Sequence, residues 1–178
     1  AELMDPQQRL MMIHVWKALE DAGYAGPALS GSDTALYVGS MPSGYGTLVS
    51  RAGTAIEGYS STGAVASVGP NRISYYLDFH GPSEPVETAC SSSLVALRRA
   101  VLAIRRGDCA VAIAGGVNTI VNPELHISFG QAGMLSEDGR CLDARTVHAQ
   151  LLGRERVHLG CARRVSRACS RPRERDSC

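Results

Sequence analysis

The sequence of 178 residues contains no long apolar run and no secretory signal. No stretch approaches the roughly 20 apolar residues that a membrane span needs, and residues 1–6 have neither a basic start nor an apolar core. We therefore expect no membrane contact and a reducing, cytoplasmic setting. The chain opens without Met, inside a helix-entry signal, so we also expect a fragment of a longer protein.

Several common ligand-binding motifs are missing as well. Residues 44–46 lack the continuation of a phosphate-binding or dinucleotide-binding loop, and no GxSxG segment marks a serine hydrolase. The six cysteines contain no CxxC pair, and we therefore expect no metal site. They are Cys90, Cys109, Cys141, Cys161, Cys169 and Cys178.

Charge and aromatic content divide the chain into two segments. Residues 1–141 hold 9 basic and 13 acidic side chains, whereas residues 142–178 hold 9 basic and 4 acidic ones and no aromatic residue. We interpret residues 142–178 as an Arg-rich tail translated out of frame. The alternative is a genuine basic tail that binds nucleic acid or an acidic carrier protein. Reading the coding DNA in the other two frames distinguishes the two, and we expect no nucleic-acid partner.

Local signals predict a helix and a strand near the start of the chain. Asp5 can cap free helical amides and Pro6 suits the first helical position, while Gly23 is a typical stop. Residues 34–39 are rich in strand-favouring side chains and end in glycine. Residues 40–69 are dominated by small residues, which permit either a flexible loop or close backbone packing.

The following segments predict a βαβ unit. Residues 86–89 read as a short extended segment, residues 91–106 as a helix, and residues 109–114 as a strand buried on both faces. One face of the helix carries Leu94, Leu97, Val101 and Ile104. A strand, a helix and a strand within about thirty residues imply a parallel, covered sheet and an α/β fold.

Cys90 lies at the junction of the first strand and the helix of this predicted βαβ unit. Backbone amides at a helix start are unpaired and carry partial positive charge, and thiols placed there ionise more readily. The same amides can stabilise an oxyanion, which favours thioester or acyl chemistry at Cys90. The competing interpretation is a buried, inert cysteine. That is what we expect of Cys109, which lies inside an apolar strand.

Residues 86–94, VETACSSSL, resemble the active-site signature of β-ketoacyl synthase domains of modular polyketide synthases. Flanking segments resemble the same domains in the same order. They are residues 4–10 with 18–23, residues 69–83, residues 112–118 and residues 134–141. The sequence PNRISY at residues 70–75, together with Glu87 where Asp is common, is similar to the sequences of synthases whose acyltransferase is a separate protein. The likeness covers residues 1–141 and stops after Cys141.

The resemblance implies a thiolase-type fold, layered α-β-α-β-α, of which only part of the N-terminal half is present, and it implies a homodimer. It implies that Cys90 accepts an acyl chain from the phosphopantetheine arm of an acyl carrier protein, with the Cys90 amide as one oxyanion donor. Decarboxylative Claisen condensation with a malonyl-type extender would follow in the intact enzyme. No directly bound cofactor is implied.

Two histidines of the family have no counterpart here. The histidines of this chain stand in other contexts, and we expect His14, His80 and His126 to be structural or exposed; the remaining two are His148 and His158. We therefore expect that the fragment alone does not condense. The alternatives are a non-elongating acyltransferase of the same fold, and a non-catalytic fragment that acts only through its surfaces or basic tail.

Overall fold

The computed structural model describes residues 3–24, 27–53, 57–136 and 156–163. Four strands form one sheet in the order β2-β1-β3-β4, in which β1 pairs parallel with β2 and β3, and β4 pairs antiparallel with β3. The strands are β1 (Ala35–Gly39), β2 (Ser83–Val86), β3 (Val111–Asn118) and β4 (Arg156–Arg163). The helices are α1 (Pro6–Asp21), α2 (Tyr45–Arg51), α3 (Ser60–Ala64), α4 (Val68–Tyr76), α5 (Ser92–Arg106) and α6 (Glu124–Gln131).

The first helix begins and ends at the residues that the sequence indicates. The Asp5 carboxylate accepts a hydrogen bond from the Gln7 backbone N–H at 2.8 Å, and Pro6 occupies the first helical position. The helix stops at Asp21, and Gly23 follows with φ +81°, a conformation that glycine adopts without strain. The predicted capping and termination are both confirmed.

The predicted βαβ unit is formed by β2, α5 and β3. Strand β1 lies between β2 and β3 and runs parallel to both, so the crossover through α5 skips one strand position. Strand β2, the first strand of this unit, occupies Ser83–Val86 rather than the predicted residues 86–89, because residues 87–91 form the turn into α5. The strand predicted over residues 109–114 extends instead over Val111–Asn118.

Buried side chains lie on both faces of the sheet, as a parallel sheet requires. Along β1, Leu36 and Val38 belong to a cluster with residues of α1 and α4, whereas Ala35 and Tyr37 belong to a cluster with α5. This alternation follows the two-residue repeat of a strand. The described part of the chain is therefore a three-layer α/β arrangement.

Helix α5 has the predicted period, but alanines occupy the face that packs on the sheet. Ala96, Ala100 and Ala103 are buried, while Leu94 and Leu97 are exposed. Small side chains allow a helix axis to approach a sheet closely. Leu94 and Leu97 therefore face away from the sheet, and no described residue covers them fully.

The small-residue segment over residues 40–69 contains two short helices, α2 and α3, and the start of α4. Of the Arg-rich segment, only the backbone of β4 belongs to the described residues, so the interpretation of residues 142–178 as a tail translated out of frame stays a prediction. Cys141, Cys169, Cys178 and His148 also lie outside the described residues. No described helix is long and apolar enough to cross a membrane.

Candidate active site

The carboxyl ends of β1, β2 and β3 meet at one edge of the sheet. Gly39 at the end of β1 is in register with Val86 of β2 on one side and with Gly116 of β3 on the other. The N-terminus of α5 lies against this edge. Because ligands of open α/β sheets bind outside the carboxyl ends of the strands, this edge is the candidate site.

Two glycines bring the first turn of α5 directly onto the sheet. A Cβ atom added to Gly39 would lie 2.7 Å from the Ser93 backbone nitrogen and 2.8 Å from the Ser92 carbonyl carbon. A Cβ atom added to Gly116 would lie 2.9 Å from the Ser93 Cβ atom. Since real Cβ atoms essentially never come that close to neighbouring atoms, a larger residue at either position would displace the start of α5.

Residues 87–91 form a sharp turn between β2 and α5. Ala89 has φ +53°, in the left-handed region that non-glycine residues rarely occupy. The turn is closed by backbone hydrogen bonds from Ser91 N–H to the Thr88 carbonyl at 3.3 Å and from Ser92 N–H to the Ala89 carbonyl at 3.1 Å. Cys90 lies within this turn, where it is exposed and its thiol is free.

Two serine hydroxyls add side-chain bonds to the turn. Ser92 Oγ accepts a hydrogen bond from the Thr88 N–H at 2.8 Å and donates one to the Ala89 carbonyl at 2.7 Å. Ser91 Oγ donates to the Thr88 carbonyl at 2.8 Å and lies 2.8 Å from Thr88 Oγ1. Ser92 is buried, whereas Ser91 is exposed, so water can replace the bonds of Ser91 more readily.

Cys109 is the second free cysteine in the described part of the chain, and its surroundings are opposite to those of Cys90. It is 1% exposed and belongs to the core between α5 and the sheet. Burial raises the pKa of the Cys109 thiol, and the nearby carboxylates of Asp33 and Asp108 raise it further. The expectation that Cys109 is a core residue is confirmed, and the described residues offer Cys90 as the accessible thiol.

Charged groups near the start of β2 affect a buried tyrosine. Tyr37 of β1 is opposite Glu84 in the register of the sheet, and burial followed by the Glu84 carboxylate raises the pKa of the Tyr37 hydroxyl. Glu84 also accepts a hydrogen bond from Arg99 of α5 at 2.6 Å. This ion pair joins α5 to β2, the outermost strand of the sheet, and lies more than one helical turn from the candidate site.

The histidines lie on elements other than the turn that carries Cys90. His80 is exposed and its Nε2 is 2.9 Å from Asp78 Oδ1, His14 lies on α1, and His126 lies on α6. His158 is on β4, and its side chain is outside the described residues. Among the described residues, no group of three or more His, Cys, Asp or Glu side chains could hold a metal ion.

A small cavity lies beside Ser40, on the other side of the end of β1. Its volume is about 10 Å³, and its lining includes Asp5, Gln8 and Met11. Gln8 Oε1 and Ser40 Oγ are buried and have no hydrogen-bond partner among the described residues. A space of this size and polarity suits a water molecule and is too small for an acyl chain.

Solved ketosynthase domains share this fold. The fold matches a ketosynthase from module 6 of the bacillaene synthase of Bacillus subtilis 168 with a TM-score of 0.78 and 33% identity, covering 92% of this chain and 28% of that one. It also matches the oxazolomycin ketosynthase domain OzmH KS7 of Streptomyces albus JA3453, with a TM-score of 0.69 and 44% identity, covering 79% and 24% of the two chains. The described structure is therefore part of a thiolase-type α/β fold.

The β-ketoacyl synthase N-terminal domain family matches residues 1–146, and the chain belongs to this family. Among its relatives, polyketide synthase PksN of Bacillus subtilis is 55% identical over 141 residues, which are 79% of this chain and 3% of that protein. The resemblance to ketosynthase domains of polyketide synthases is confirmed. The chain spans only a small part of the proteins that it matches.

Proposed function

We propose that Cys90 is the acyl-accepting nucleophile of a polyketide β-ketoacyl synthase. The observation that supports this assignment is the placement of an exposed, free thiol in the strained turn between β2 and α5. The turn opens at the carboxyl ends of the three parallel strands β2, β1 and β3, and a helix of 15 residues begins two residues after Cys90. Helix starts favour negative charge, both on a thiolate and on an oxyanion.

The first half-reaction is a transfer of an acyl group between two sulfur atoms. The Cys90 thiolate attacks the carbonyl carbon of a thioester on the phosphopantetheine arm of an acyl carrier protein. The carbon–oxygen π electrons move to oxygen, and the Cys90 backbone N–H donates a hydrogen bond to that oxyanion. When the oxyanion collapses, the bond to the phosphopantetheine sulfur breaks and that thiolate takes up the proton that Cys90 released. Phosphopantetheine is thus a substrate arm rather than a resident cofactor.

The second half-reaction belongs to the intact enzyme. A malonyl-type extender on acyl carrier protein loses carbon dioxide, and the resulting carbanion attacks the acyl carbonyl carbon on Cys90. The new carbon–carbon bond forms as the bond to the Cys90 sulfur breaks, which frees the thiolate and leaves the β-ketoacyl chain on the carrier protein. The chain spans 28% of a matching ketosynthase, and His14, His80 and His126 lie on other elements than the Cys90 turn. We therefore infer that the histidines for condensation come from the remainder of a homodimeric enzyme. A reducing cytoplasm would keep the thiol free.

Incubation of the purified chain with an acyl-pantetheine thioester, followed by intact mass measurement, tests the assignment. The expected result is one acyl adduct that disappears in Cys90→Ala and persists in the matched variant Cys109→Ala. Circular dichroism establishes that each variant is folded. A folded chain that gains no acyl group, or an adduct that survives Cys90→Ala, would contradict the assignment.

A further inference from the structure

The buried hydroxyl of Ser92 bonds to two backbone groups that lie on either side of the Thr88–Ala89 peptide, just before Cys90. It accepts from the Thr88 N–H at 2.8 Å and donates to the Ala89 carbonyl at 2.7 Å. Ser92 is 8% exposed, so water has little access to replace either bond. One side chain thus fixes both the Thr88 N–H and the Ala89 carbonyl. The Thr88–Ala89 peptide and the Ala89 α-carbon lie between these two groups.

Ala89 is held in a conformation that it would not adopt by itself. Its φ of +53° lies in the left-handed region, which an L-residue with a Cβ atom populates roughly 5- to 30-fold less than ordinary conformations. Such residues persist where surrounding contacts fix them. Since Ala89 immediately precedes Cys90, its dihedral angles set the direction in which the Cys90 side chain leaves the turn.

Ser92 is itself anchored to the sheet. It is the first residue of α5, and a Cβ atom on Gly39 would lie only 3.0 Å from the Ser92 Cβ atom. The close approach of Gly39 therefore fixes the position from which the Ser92 hydroxyl reaches the turn. The Ser91 hydroxyl bonds to Thr88 and Ser91 is exposed, which makes it a matched neighbour without this anchoring.

We propose that Ser92 is a positioning residue whose hydroxyl holds Ala89 in the left-handed conformation and thereby directs the Cys90 thiol. The predicted effect on acyl transfer rests on the proposed function. The positioning of the Cys90 thiol concerns the turn alone, so the rate at which a simple alkylating reagent modifies Cys90 tests the positioning separately.

The test compares Ser92→Ala with Ser91→Ala in the full chain. We measure the rate at which iodoacetamide labels Cys90, and the rate of acyl transfer from acyl-pantetheine at saturating concentration. Tryptic peptides 73–98 and 107–140 separate Cys90 from Cys109, so labelling of Cys109 reports unfolding. We expect Ser92→Ala to slow acyl transfer at least tenfold and alkylation several-fold, while Ser91→Ala changes either rate less than twofold.

Ala89→Gly distinguishes positioning from general stability. Glycine adopts positive φ without strain, so in the Ala89→Gly background the Ser92→Ala substitution should lower acyl transfer less than threefold. A merely structural role predicts the opposite, since glycine would loosen the turn further. If Ser92→Ala alone exposes Cys109, restored protection of Cys109 and restored acyl transfer in the Ala89→Gly, Ser92→Ala double variant support the proposal, and a double variant that stays unfolded overturns it.

Equal rates for Ser92→Ala and the unsubstituted chain, or equal losses in both backgrounds, would overturn the proposal. If the unsubstituted chain takes no acyl group but alkylation follows the predicted order, the proposed function fails and the positioning role stands. If acyl transfer occurs and neither rate depends on Ser92, the positioning role fails and the proposed function stands.

Discussion

Gly39→Ala provides the sharpest test of how α5 is seated on the sheet. The added Cβ atom would lie 2.7 Å from the Ser93 backbone nitrogen and 2.8 Å from the Ser92 carbonyl carbon. Ordinary van der Waals contact begins near 3.4 Å, so the start of α5 must move by roughly 0.7 Å. Because the opposing atoms are backbone atoms, no side-chain rotation relieves the overlap.

The expected loss of stability follows from that overlap. Forcing one extra carbon into a close-packed position costs about 1–3 kcal/mol in the free energy of unfolding, which for a chain of this length lowers the melting temperature by roughly 2–12 °C. Urea unfolding followed by circular dichroism measures the change. We also expect slower acylation of Cys90, because the displaced helix start carries Ser92 away from the turn.

Gly58→Ala is the matched control for this substitution. Among the described residues, nothing lies within 4 Å of a Cβ atom added to Gly58, and its φ is compatible with alanine. We expect its free energy of unfolding to change by less than about 1 kcal/mol, with a small gain from the less flexible unfolded chain. If Gly39→Ala unfolds at the same urea concentration as Gly58→Ala, the described contact between Gly39 and α5 is wrong.

Three further predictions concern pH dependence, the core and the exposed face of α5. Hydrogen bonds from His80 and Ser30 hold the pKa of Asp78 below its ordinary value of 3.8. The ionised Asp78 carboxylate therefore contributes to the free energy of unfolding above pH 3.8, and this contribution is lost as the pH falls through the lowered pKa. Asp78→Asn, which tolerates the positive φ at this position, should flatten the acid decline of the urea midpoint; an unchanged decline would contradict this. Cys109→Ser should lower the free energy of unfolding by roughly 1–3 kcal/mol, because it buries a hydroxyl in an apolar cluster, and an equal urea midpoint would refute that burial. Leu94 and Leu97 are 70% and 48% exposed, so the isolated chain should self-associate, and replacing both with Gln should restore a monomer in light scattering. A monodisperse, monomeric unsubstituted chain would contradict that expectation.

The sequence predicts the order of elements around the site well, because each boundary has a local chemical cause. Asp5 and Gly23 mark the ends of α1, and the apolar run before Gly115 marks β3. The position of Cys90 between a strand and a helix is visible for the same reason. The resemblance to the family then gives the thiolase-type arrangement, which local patterns alone do not specify.

The parts of the site that the sequence does not reveal depend on tertiary contacts. The leucines and the alanines of α5 both repeat at helical spacing, and only the close approach at Gly39 and Gly116 selects the alanine face for the sheet. The left-handed conformation of Ala89 has no sequence signal either, since alanine does not favour it. The proposed role of Ser92 has no sequence signal, because residues 91–93 are all serine and only burial and hydrogen bonds in the folded turn distinguish Ser92 from its neighbours.

The most direct test of the account is whether acylation at Cys90 depends on the folded turn. The chain is incubated with acyl-pantetheine in native buffer and in concentrated urea, and the acyl group is mapped on tryptic peptides 73–98 and 107–140. The account predicts that the native chain carries the acyl group on the Cys90 peptide and that unfolding abolishes this preference over Cys109. Equal acylation of both peptides in the native chain, or an unchanged rate at Cys90 after unfolding, would contradict it.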